Sequence, residues 1–130
     1  VPLNRQHPFQ HPAPLLLHSL WGFVGPLQQA IERASLHGFA GLEANLRHPA
    51  LQDTGPTQLA DALAHAALQL VLELVTGDDY VPDLELGPDA HLRELEQLLA
   101  RCPAYGPLKV TVITGCDAWC WEQQNWFWSR

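Results

Sequence analysis

Residues 70–77 read LVLELVTG, and the fold turns on how that stretch is taken. Leu70, Val71, Leu72, Leu74 and Val75 make an almost unbroken apolar run with one carboxylate, Glu73, inside it. A strand with one face in water alternates apolar and polar residues. A continuous run marks a strand buried on both faces, the pattern of parallel sheets covered by helices. Residues 108–115, LKVTVITG, form a second such strand, rich in β-branched side chains. Upstream, LLLHSLWGF (15–23), ending at Gly22, and AGLEANL (40–46) are two shorter strands.

The segments between these strands change period. GPLQQAIERASLHGF (25–39) places Leu27, Ala30, Ile31 and Ala34 at helical spacing, with Pro26 in the first turn and Gly38 as the stop. GPTQLADALAHAALQ (55–69) is a second helix, with Thr57 as N-cap and Leu59, Ala62, Leu63 and Ala66 as its inward stripe. GPDAHLRELEQLLARCPAYG (87–106) is a third, with Asp89 near its start and Leu92, Leu95, Leu98 and Leu99 inward. DAWCWEQQNWFWSR (117–130) opens a fourth. Strand and helix alternate four times at a spacing of about 30 residues, the size of one βα unit. The class is therefore α/β with a parallel four-stranded sheet. A doubly wound open sheet and a barrel both follow from this alternation. A closed barrel needs eight strands and about 250 residues, and this chain has half of that.

Composition narrows the function. The chain has 130 residues, 47% of them hydrophobic and 16% charged, with a net charge of -7. One folded domain is expected. The acidic balance and the single lysine argue against nucleic acid and against an anionic membrane surface, since phosphate contacts need clustered Lys and Arg. No apolar run approaches a membrane span, and no signal peptide is visible. Cys102, Cys116 and Cys120 are odd in number and lack zinc or redox spacing, so free thiols in a reducing, cytoplasmic setting are expected. The absence of any methionine suggests a processed chain or a piece of a longer one. Residues 1–14, VPLNRQHPFQHPAP, form a Pro-rich arm; prolines after His7 and His11 exclude the helix that would align those two imidazoles on a metal.

At SLWGF, AGLEANL, LELVTG and VTVITGCDAW the chain resembles the sugar-phosphate isomerase/epimerase family, the xylose isomerase-like TIM barrels. The step GFxGLE at 38–43 is the most specific point, supported by LADALA at 59–64 and by DAW after the fourth strand. The resemblance covers roughly residues 15 to 128. It implies the first half, residues 15–130, of a (β/α)8 barrel whose whole form binds a divalent metal and isomerises or epimerises a sugar. In that family the metal ligands lie at the ends of the fifth and later strands. This chain has no position onto which they carry over, so no metal ligand or catalytic residue is assigned to it.

Residues at the C-terminal strand ends face the site in such barrels. That selects Trp21, Glu43, Glu73, Thr114, Asp117 and Trp119 as substrate-facing, with Thr76 beside Glu73. Trp21 either stacks on a sugar face or caps the core. Glu43 and Glu73, inside apolar strands, need a partner or a role; Arg47 or a nearby backbone amide is the structural candidate. Glu43, Glu73 and Asp117 are the right residue types for a hard cation, but nothing in the sequence sets their geometry. His18 is expected in the first strand facing the barrel axis, and His37, His48, His65 and His91 as surface or capping residues. Asp78 and Asp79 belong to a long acidic loop. Cys116 has no basic neighbour to activate it.

The tail raises the question of partners. Trp121, Trp126, Phe127 and Trp128 occupy more than one helix face, which suits an interface. Cys120 stands where the resemblance expects Ser or a similar cap, leaving Gln123 without a capping-box partner. Two functions are open: the substrate-facing wall of a sugar isomerase or epimerase whose other half is elsewhere, or a non-catalytic half-barrel. The second would homodimerise through its first and fourth strands.

Overall fold

The computed structural model describes residues 13–77, 85–115 and 118–130. Most of the Pro-rich arm, His7 and His11, Asp78 and Asp79, Cys116 and Asp117 lie outside the described residues. In chain order the elements are β1 (Leu17–Ser19), α1 (Leu27–Leu36), β2 (Gly41–Asn45), α2 (Pro49–Thr54), α3 (Pro56–His65), β3 (Gln69–Val75), α4 (Pro88–Arg101), a 3-10 turn (Cys102–Tyr105), β4 (Lys109–Ile113) and α5 (Trp121–Trp128).

The four strands form one sheet in the order β1-β2-β3-β4, and each neighbouring pair is parallel. The α/β class with a parallel four-stranded sheet is thus as the apolar runs imply. The sequential order matters. A doubly wound sheet reverses its strand order at a switch point, and this sheet has no reversal. With right-handed crossovers, a sequential order puts all connecting helices on one face.

The packing agrees. Even-numbered strand residues Leu42, Ala44, Leu70, Leu72 and Leu74, and Leu20 just past β1, join one buried cluster with Leu27, Ala30, Ile31 and Ala34 of α1, Leu59 and Leu63 of α3, and Leu98 of α4. Alternate side chains on a strand point to opposite faces. The odd-numbered residues therefore share the other face, against which no described helix packs. Gly41 opens β2 on that second face, where a Cβ would strike the Gln69 carbonyl.

Several local expectations are corrected. Residues 49–54 form α2, a helix that the periodicity did not announce. Its N-cap is His48, whose Nδ1 accepts the Ala50 N–H at 3.2 Å. The N-cap of α3 is Gly55 (φ 77°), with Pro56 at the first helical position, so Thr57 lies inside the helix. On α4 Leu99 is 43% exposed, while His91, expected at the surface, is fully buried. His18 pairs in register with Leu42 and packs its ring near Phe23 and Phe39, so it faces the helices and not the opposite face. At the start of α5 the Cys120 N–H donates to Gln123 Oε1 at 3.0 Å, so Gln123 does have its capping partner.

Leu72 is fully buried at the centre of this packing. Leu72→Ala is expected to lower the unfolding free energy by about 2–5 kcal/mol, because a central cavity collapses only in part. Urea unfolding followed by circular dichroism measures it. A loss well below that range would mean that the cluster is not the main source of stability.

Candidate functional site

The helix-free face of the sheet is the candidate site. Strand register arranges its side chains in rows. Ser19 pairs with Glu43, Glu43 with Val71, and Val71 with Lys109. One step toward the C-terminal ends, Asn45 pairs with Glu73 and Glu73 with Thr111. Glu43 and Glu73 are half-buried diagonal neighbours on adjacent strands, and Asn45 is buried beside them.

The interior position of these carboxylates shapes their chemistry. Glu73 has its pKa raised above 4.5, first by burial and then by the negative charge of Glu43; a hydrogen bond from the Asn45 side chain opposes both. Asn45 also accepts the Arg47 N–H through Oδ1 at 2.8 Å, which turns the chain out of β2 and fixes the amide that meets Glu73. Arg47 itself does not neutralise either carboxylate. Its guanidinium donates to the carbonyls of Val75 and Gly77 and pairs with Glu94 of α4. The polar partner of Glu73 is therefore an amide, which offsets the effect of burial and of Glu43 only in part. Such a surface can accept hydrogen bonds from hydroxyl groups and can donate one when Glu73 is protonated.

The expected site residues divide by face. Glu43 and Glu73 share the helix-free face. Trp21 lies just past the end of β1 and is 60% exposed. Thr114 turns the other way. Its hydroxyl meets that of Thr76 at 2.6 Å, and Thr76 Oγ1 meets Nδ1 of the buried His91 at 2.7 Å, so this chain ties the ends of β3 and β4 to α4. Trp119 is buried against His91 and Phe127, with Nε1 donating to the Leu86 carbonyl at 3.3 Å. Asp117 is outside the described residues. Sequence reasoning missed Asn45, Ser19 and Thr111. Strand alternation counted from Glu43 and Glu73 would have found them, since all carry odd numbers on these strands.

Among the described residues no three His, Cys, Asp or Glu side chains come together as a metal site; Asp117, the third carboxylate beside Glu43 and Glu73 in the sequence, lies outside them. Apolar clefts lie elsewhere: one of about 340 Å³ is lined by Leu63, Leu70, Tyr105 and Leu108 at the opposite end of β3. No described helix is long and apolar enough to cross a membrane. No protein-family model matches the chain, and no curated protein or solved structure matches it either.

The raised pKa of Glu73 has a consequence for stability. The folded state holds this proton more tightly than the unfolded one, so stability falls as pH rises from below 4.5 through the raised pKa. Glu73→Gln removes that dependence. The variant should be more stable than the parent at pH 7 and indistinguishable from it below the unfolded carboxylate pKa of about 4.3. Thermal melts across that range measure it; equal pH slopes for the two proteins would show that Glu73 is not strained.

Proposed function

We propose that the chain is the first half of a sugar isomerase/epimerase-type (β/α)8 barrel and that its helix-free sheet face is the wall of a carbohydrate site. The observation that carries this reading is the pair Glu43 and Glu73 on a face with no described helix, with Asn45 buried between them. Sequential parallel order with every packed helix on one side is the arrangement of one arc of a barrel. Carboxylates beside Ser19, Asn45 and Thr111 on one sheet face suit a ligand rich in hydroxyl groups. An exposed indole, Trp21, stands past the end of β1, where a sugar ring's CH face can stack on it.

The chemistry assigned to this half is binding and orientation. Glu43 accepts hydroxyl hydrogens, and Glu73 either accepts or donates one according to its protonation. Without a metal site among the described residues, no isomerisation step is derived, and the half alone is expected to bind a sugar without turning it over.

Amide chemical-shift mapping with linear and cyclic pentoses, hexoses and polyols tests this. Shifts are expected at Ser19, Glu43, Asn45, Glu73 and Thr111. Glu43→Gln and Glu73→Gln should each weaken binding about 10- to 100-fold, the range of a lost hydrogen bond to a charged group. Shifts confined to the cleft near Tyr105 would refute the assignment, as would the absence of any saturable shift.

A further inference from the structure

A cleft opens between α3 and the 3-10 turn, at the N-terminal ends of β3 and β4 and away from the carboxylate face. We propose that it is a second binding site, taking a small, uncharged, mainly apolar molecule whose one carbonyl or hydroxyl group meets the hydroxyl of Tyr105. This site is independent of the carboxylate face and stands whether or not a sugar binds.

The hollow is made by small residues. α3 turns Leu63 into the main cluster and leaves Ala60 and Ala64, one helical turn apart, along the cleft, where longer side chains would fill it. Opposite them the 3-10 turn ends in Gly106, whose φ of 56° lies in the left-handed region that favours glycine, so that wall carries no side chain at this point. The floor is closed. Leu70 is 3% exposed, and its carbonyl accepts the Leu108 N–H at 2.8 Å, which leaves no backbone acceptor bare there. The space is about 340 Å³, within the range of about 300–1,000 Å³ that small-molecule sites occupy.

Tyr105 supplies the polar point. It is 7% exposed, and its ring belongs to the main cluster. A buried tyrosine usually has a partner for its hydroxyl. Among the described residues this hydroxyl has none. Nor is it sealed off, since the enclosed side-chain atom without a partner among the described residues is His18 Nε2. An oxygen that is neither bonded nor enclosed opens on the cleft that its ring lines. A hydroxyl held by a buried ring at the border of an apolar hollow is the kind of group that orients a ligand.

The lining selects the chemistry. Among the described residues around the cleft none is charged, and beside Tyr105 only Gln69 has a polar side chain. An ion would lose hydration there without a countercharge. A polyol would press several hydroxyl groups against leucines, each unpaired. A ring with a single acceptor buries apolar surface and gives its one polar group to Tyr105.

Chemical-shift mapping of the full chain with three probes is the test: acetophenone, a ring with one carbonyl; ethylbenzene, nearly the same shape without it; and xylitol, a polyol. Acetophenone should give saturable shifts at Leu63, Leu70 and Tyr105, and xylitol none there. Ethylbenzene should bind about 3- to 10-fold more weakly than acetophenone, the net worth of one neutral hydrogen bond. Tyr105→Phe should erase that difference and leave the melting temperature unchanged, because the hydroxyl holds nothing within the chain. Ala64→Leu, on the exposed side of α3, should abolish binding of both rings. The absence of saturable shifts with acetophenone would overturn the proposal, as would equal affinity of the parent for the two rings. A difference that survives Tyr105→Phe, or a lower melting temperature in that variant, would overturn it too. Tyr105→Phe decides the matter even if Ala64→Leu fails to fold.

Discussion

Everything in this structure follows from the need to bury β3 on both faces. Its even-numbered side chains, Leu70, Leu72 and Leu74, lie under α1, α3 and α4 in one continuous cluster. Parallel pairing on both sides, to β2 and β4, forces each connection to cross over the sheet. Chirality sends every crossover to the same side. The helices are thereby committed to one face, and the odd-numbered residues are committed to the other. Val71 and Val75 are buried there, at 5% and 2% exposure, outside the cluster that the helices complete. The second face thus has interior character, and that is what makes its polar residues notable.

Placing Glu43 and Glu73 on that face costs free energy. Burial raises the Glu73 pKa, and the neighbouring Glu43 raises it further. One asparagine offsets only part of this. A fold selected for stability alone would fill these positions with apolar residues or bring a cation to them. Arg47, two residues from Asn45, is close enough in sequence to do so. Instead it is spent on the carbonyls after β3 and on Glu94, where it fastens the end of β2 to α4. Repulsion that Asn45 offsets only in part is the physical ground on which the proposed binding surface rests.

Much of this was legible in the sequence because strands buried on both faces leave a loud pattern. LVLELVTG is the interior strand its apolar run announces, whereas LKVTVITG, read as a strand buried on both faces, is the partly exposed last strand of the described sheet; the helix between them carries its period in Leu92, Leu95 and Leu98. What escaped notice did so for physical reasons. The short helix α2 has too few turns to show a period. His91 carries a polar label, yet the hydroxyl pair Thr76 and Thr114 gives its ring a buried partner that no linear spacing reveals. Trp119 and Thr114 follow a strand end and so resemble site residues, but one step of strand alternation turns Thr114 toward α4, and Trp119 is drawn into the α4–α5 contact. Glu43 and Glu73 were visible because a lone carboxylate in an apolar run is conspicuous. Their partner Asn45 was not, because an asparagine at a strand end looks like an ordinary turn residue.

The tail shows how the same constraint extends to the edges. Trp119 and Phe127 form a small cluster with Leu92 and Leu95, apart from the main core. α5 is therefore held through α4 more than through its own strand, β4. A helix so placed contributes little to burying β4, which keeps Val112 and Ile113 partly exposed. β3 escapes this because it has a strand on each side and helices above. Among the described residues no strand lies beyond β4, and none lies beyond β1, which is short and preceded by exposed leucines. The deficits of the two edge strands are alike in kind and complementary in direction, because a parallel sheet presents one type of edge at its beginning and its match at its end.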